Sequence, residues 1–116
     1  MSQNPSVNPD RLLMVITSLP NMEAAKGLAH ALVEGKMAAC VQLMDGMKSV
    51  YRWEGKLCEE YEVLLSAKTT ASKWPGISRF IQAEHPYDVP EILAFSPEQY
   101  AQQYGEWVQA EVNSKA

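Results

Sequence analysis

The sequence predicts an α+β sandwich of order βαββαβ with an extra helix at the end. Three observations carry that reading. A short apolar run lies near the start, and a helical stripe of apolar residues follows it. A central stretch then keeps an extended pattern far beyond the length of an ordinary strand. The 116 residues hold about one domain. Hydrophobic residues at 47% against 21% charged are enough for a packed core, which excludes disorder as the main state.

The elements follow in order. Residues 1–10 are polar, carry Pro5 and Pro9, and read as a disordered tail ahead of a single domain over 11–113. Arg11 to Thr17 is a buried strand, closed by Pro20. Asn21 is an N-cap with Glu23 in the first turn, where the helix dipole favours a carboxylate. Ala25, Leu28, Ala29, Leu32 and Val33 form one helical face, and Gly35 stops the helix. Met37 to Trp53 is extended, interrupted at Asp45-Gly46, and Glu54-Gly55 is a tight turn. The Asp45-Gly46 pair fits either a hairpin turn or a bulge inside one long strand. Tyr61, Val63, Leu65 and Ala67 alternate with Glu60, Glu62, Leu64, Ser66 and Lys68, which makes a strand with one apolar and one mixed face.

Ser72 and Pro75 open a second helix with Ile77, Phe80 and Ile81 as its stripe, and His85-Pro86 ends it. Glu91 to Phe95 is a short strand. Ser96-Pro97-Glu98-Gln99 reads as a capping box. Behind it, Tyr100, Tyr104, Trp107, Val108 and Val112 line a terminal helix. Right-handed crossovers fold this order into a four-stranded antiparallel sheet with two helices on one face, the ferredoxin-like arrangement.

Composition narrows the function. A net charge of −4 lacks the basic clusters that nucleic acid or anionic lipid requires. No apolar stretch is long enough for a membrane span, and the N-terminus has no apolar signal-peptide core. Cys40 and Cys58 make no disulfide framework, which fits a reduced, cytoplasmic setting. The signatures GxSxG, HExxH, GxGxxG and the P-loop are absent, so the chain reads as a binding protein, not an enzyme, with no organic cofactor.

Several segments together resemble the CutA divalent-cation-tolerance family. They are Ala38 to Val41, Ser49 to Lys56 with its Trp-Glu-Gly-Lys tip, Glu60, Lys68-Thr69, and His85 to Glu91 with its His-Pro-Tyr start. Tyr104 and Trp107 fit the family's last helix. The likeness runs from about Leu12 to Val112. It implies a ferredoxin-like fold, a homotrimer, kinship with the PII signalling proteins, and a link to tolerance of copper and other divalent metals. It also favours the bulge at Asp45-Gly46. The paired arms then run from Met37 to Trp53 and from Lys56 to Thr69, each spanning ~45 Å, with overhanging edges that need a partner.

Candidate site residues follow from residue chemistry and from this resemblance. His85 is the metal candidate, because a neutral imidazole suits copper, zinc and nickel, and Glu84 beside it adds a carboxylate. The competing reading of His85 is a helix-end residue that meets the dipole. The family's proposed copper ligands are a first-strand cysteine and paired histidines. Thr17 and Glu84 stand in two of those places here, so a His85–Glu84 site would be harder and suit zinc or manganese better than Cu(I). Cys40, Glu60, Lys68 and Tyr87 are the ligand-binding candidates; the resemblance places Cys40 near the cleft between subunits, and Glu60 and Lys68 could each face a different subunit. Lys68 lies ~26 Å from Glu60 along one strand face and would meet an anion. Tyr51 and Trp53 share a face of the first arm and read as inter-subunit packing. Tyr104 and Trp107 read as core, and Cys58 as an exposed thiol. The expected function is a trimer that binds divalent metal or a small ligand in its clefts; the alternative is a purely structural trimer.

Overall fold

The computed structural model describes residues 8–114. The tail expected over residues 1–10 lies mostly outside them. Residues 8–10, however, form a turn that is tied down. Ser72 N–H donates to Pro9 O at 3.0 Å, and Gln109 Nε2 donates to Asp10 O at 2.8 Å.

The elements are β1 (Leu12–Leu19), α1 (Met22–Glu34), β2 (Cys40–Trp53), β3 (Lys56–Thr70), a 3₁₀ turn (Ala71–Lys73), α2 (Trp74–Glu84), β4 (Leu93–Phe95) and α3 (Gln102–Asn113). The four strands form one antiparallel sheet in the order β2-β3-β1-β4. This is the ferredoxin-like sandwich. Its core joins Val15 and Leu19 of β1, Leu28 and Leu32 of α1, Val63, Leu65 and Ala67 of β3, and Ile77 and Ile81 of α2. α3 contributes Val108 and Val112, buried against β1 and β3 apart from that cluster.

Local chemistry explains most boundaries. Asn21 Oδ1 accepts from Ala24 N–H at 2.8 Å and starts α1. At the far end Gly35 is not the left-handed residue. Lys36 is, with φ of 58°, while Gly35 keeps φ of −82°. Val33, expected on the apolar face, is exposed. The central hairpin turns on Glu54 and Gly55, both at positive φ, the signature of a two-residue type I′ turn. Asp45-Gly46 is a bulge. Met44 pairs with Leu64 and Met47 with Glu62, so β2 spends one residue more than β3. Gly46 takes φ of 77°, and its N–H is held by Asp45 Oδ1 at 2.8 Å.

Three expectations change. β4 is only three residues long, with Leu93 and Phe95 exposed. Ser72 does not cap α2; its hydroxyl shares a hydrogen bond with Thr70 Oγ1. The capping box at Ser96 does not form, and α3 begins at Gln102 with no side-chain cap. The Ser96 hydroxyl instead accepts from the Arg11 guanidinium. Tyr100 lies so close to Gly105 that a Cβ there would meet its ring at 2.3 Å. At Ser96 a contact with a residue 85 positions away takes the place of the local helix start.

Candidate functional site

The register assigns the sheet's two faces. Opposed residues share a face, so Ser18, Leu64, Glu62, Glu60, Ser49, Tyr51 and Trp53 all lie opposite the α1/α2 core. β1 ends at Leu19, beside Val63. β3 continues beyond it without a neighbour on that side, and the segment from His85 to Glu91 closes around the end of β1.

His85 anchors that segment. Its backbone leaves the helix at ψ of 139°, as a residue before proline must. The buried ring lies with Nε2 at 2.7 Å from Ser18 O, and Nδ1 accepts from Tyr87 N–H at 3.1 Å. A nitrogen that accepts from an amide carries no proton, so Nε2 carries it and donates to Ser18. Both ring nitrogens are therefore engaged, and neither offers a lone pair to a metal ion. Glu84 is exposed on the last turn of α2. The pair expected as metal ligands does not fit that role: His85 fastens the loop to β1. The ring also sits 4.8 Å from that of Tyr87, tilted by 47°.

Tyr87 passes the connection to the hairpin. Its hydroxyl donates to Glu62 Oε2 at 2.8 Å. Burial, then this hydrogen bond and the charge of Glu62, push the phenol well above its ordinary range. Tyr51 is raised too, by desolvation first and then by the Glu60 carboxylate. Ser18 Oγ donates to Glu91 Oε1 at 3.0 Å. Between loop and hairpin opens a cleft of about 700 Å³, lined by Tyr51, Trp53, Glu60, Glu62, Tyr87 and Glu91 among others.

The structure thus brings Tyr87 and Glu60 together and joins the interface candidates Tyr51 and Trp53 to them. Cys40 and Lys68 belong elsewhere. They pair across β2 and β3 on the same face but at the far end of the sheet. Lys68 Nζ donates to Gln42 Oε1 at 2.7 Å and to Ser66 Oγ at 3.3 Å. Tyr104 stands close by, its phenol raised by burial and by Cys40. A second cavity of about 310 Å³ opens there, lined by Lys68, Tyr104, Leu12, Phe95 and Tyr100. Cys40 and Cys58 are both half-buried free thiols. Tyr104 and Trp107, expected in the core, are exposed, with rings 5.8 Å apart.

Sequence reasoning did not single out Glu62, Glu91 or Ser18. Glu62 had one signal: it continues the mixed face of β3 next to the apolar run of Val63, Leu65 and Ala67. Its burial comes from Tyr87, which local sequence does not report.

These features define a ferredoxin-like protein whose central hairpin overruns its body and carries a cleft at its root. Residues 13–111 match the model of the CutA1 divalent ion tolerance protein family, and the chain belongs to that family. It is 40% identical over 95 residues to the divalent-cation tolerance protein CutA of Thermus thermophilus, covering 82% of this chain and 92% of that protein. It is 41% identical over 96 residues to the chloroplastic protein CutA of Arabidopsis thaliana, covering 83% of this chain but 53% of the plant protein. The chain thus spans about half the length of that relative. The crystal structure of CutA1 from the psychrotrophic bacterium Shewanella sp. SIB1 superposes with a TM-score of 0.86 at 33% identity, covering 90% of this chain and 97% of that one.

Proposed function

We propose that the protein acts as a cytoplasmic homotrimer in divalent-metal tolerance, copper included, and that its ligand site is the cleft at the root of the hairpin arm. One observation carries the assembly. The arm holds large apolar side chains in the open, among them Val50, Tyr51, Trp53, Leu57 and Tyr61. Exposed patches of that kind mark interaction surfaces. Other copies of the chain are the partners that its length and open edges fit. The two free thiols go with a reducing compartment. A metal would be cargo, and because no three His, Cys, Asp or Glu side chains among the described residues stand close enough to hold one, its donors would come from more than one copy.

Calorimetric titration of tag-free protein with copper and with zinc tests the metal half. A dissociation constant tighter than ~100 μM, roughly −5.5 kcal/mol, is expected. No binding at that level removes the direct metal role.

A second reading is a purely structural trimer, and the engagement of both His85 nitrogens favours it. On that reading His85→Ala leaves metal tolerance of cells unchanged, while Trp53→Ala breaks the assembly.

A further inference from the structure

The two cavities carry opposite charge. Carboxylates line the cleft at the root of the arm, among them Glu60, Glu62 and Glu91. The cavity of about 310 Å³ at the other end of the sheet has no carboxylate in its lining among the described residues, and Lys68 is its one charged side chain. Its floor is built within one chain. Leu12 and Leu13 of β1 and Val108 of α3 are buried residues of that floor, and Met14 joins them. None of the lining residues lies on the part of the hairpin that overruns the body.

Lys68 is half-buried on the central strand β3, between Met14 of β1 and Cys40 of β2. Its Nζ donates to Gln42 Oε1 and Ser66 Oγ, both neutral, and no Asp or Glu pairs with it among the described residues. An ammonium has three donors, so one remains. Neutral acceptors offset only part of the cost of drawing a cation out of water, and an anion offsets more. The walls narrow what kind of anion that is. An inorganic anion gains nothing from Leu12, Leu13 and Val108, and a hydrocarbon leaves the ammonium without a counter-charge. A carboxylic acid with an apolar body satisfies both surfaces. Its carboxylate accepts a charge-assisted hydrogen bond from Nζ, and its carbon body takes the floor out of water. A mostly apolar cavity with few polar groups is the usual form of a small-molecule site, and about 310 Å³ lies at the small end of the range.

We propose that this cavity binds a small monocarboxylic acid with an aryl or short alkyl body, its carboxylate on Lys68 and its body against Leu12, Leu13 and Val108. It is a second site, apart from the cleft at the root of the arm, and it stands or falls separately from the function assigned to that cleft.

The full-length protein is titrated at low salt with phenylacetate and hexanoate. Phenylacetamide is the uncharged isostere, and acetate is the anion without an apolar body. Calorimetry reads binding, and light scattering reads mass in parallel. Both acids are expected to bind with a dissociation constant below ~1 mM, and both controls at least about tenfold more weakly. Lys68→Met keeps the apolar stem and removes the charge. It is expected to weaken both acids at least about tenfold with the mass unchanged. Met14→Trp, which fills part of the cavity, is expected to weaken them as well, and it keeps the site testable if Lys68→Met does not fold. His30→Ala, exposed on α1, is expected to leave binding alone. Failure of both acids to saturate in the millimolar range overturns the proposal. So does phenylacetamide binding as tightly as phenylacetate, because the charge is then not read, or acetate binding as tightly as hexanoate, because the floor then plays no part. A folded Lys68→Met or Met14→Trp protein that binds like the parent puts the acids elsewhere and overturns it too. A mass that falls as acid is added assigns the cavity to a contact between copies, and the proposal falls.

Discussion

β3 passes through two environments. From Glu62 to Thr70 its residues are buried or half-buried, and Val63, Leu65 and Ala67 sit in the core. From Lys56 to Tyr61 the same strand, with the same alternation, is exposed apart from a half-buried Cys58. The body half meets α1 and α2; among the described residues the arm half pairs with β2 and has no helix over it. A two-stranded ribbon is marginal in water by itself. The body is thus held by contacts within the chain, while the arm offers its apolar side chains to something beyond it. Binary pattern alone does not separate these halves, because burial depends on what lies above a strand and not only on its sequence.

Substitutions that sort the two halves by size of effect test this contrast. Leu65→Ala removes a fully buried side chain and is expected to cost about 2–5 kcal/mol in chemical denaturation. Leu57→Ala in the arm, where that leucine is 70% exposed, is expected to change the stability of the isolated fold by less than about 0.5 kcal/mol. Equal losses at both positions would erase the distinction.

The boundary between the halves is fixed by Tyr87 and Glu62. Tyr87→Phe removes a donor from a buried carboxylate and is expected to cost about 1–3 kcal/mol. The raised phenol adds a pH signature. The folded state holds this proton more tightly than the unfolded chain, whose tyrosine titrates near 10.0. That contribution is complete below the unfolded value and is lost as pH rises above it. Denaturation midpoints followed through the alkaline range should fall more steeply for the parent than for Tyr87→Phe. Parallel curves would place Tyr87 outside the boundary.

The smallest effect belongs to the body. Thr17 Oγ1 is buried with no hydrogen-bond partner among the described residues. Thr17→Val keeps the shape and is expected to stabilise by about 0.5–1 kcal/mol, read from the urea midpoint. A loss of stability would mean that the hydroxyl has a partner.

The body was also the legible part of the molecule. Asn21, Pro75 and His85-Pro86 act through their own backbones, and each ends or starts a helix near where the sequence places it. The bulge at Asp45-Gly46 was open on pattern alone and settled in advance only by resemblance. The site was less legible, because its chemistry is spread along the chain. His85 was recognisable as an imidazole, but its role depends on the Ser18 carbonyl 67 positions away. Glu62 was one carboxylate in an acidic stretch until Tyr87, 25 positions on, covered it. Ser96 carried a sound local capping signal that Arg11, 85 positions away, overrode. Tyr104 and Trp107 had core spacing, yet among the described residues both stay largely exposed.

The central claim is that the arm is completed by other copies of the chain. Light scattering of the unaltered protein at micromolar concentration tests it most directly. A mass of three times 12.9 kDa is the expected result, with Trp53→Ala shifting it downward. A steady mass of 12.9 kDa for the unaltered protein would contradict the account.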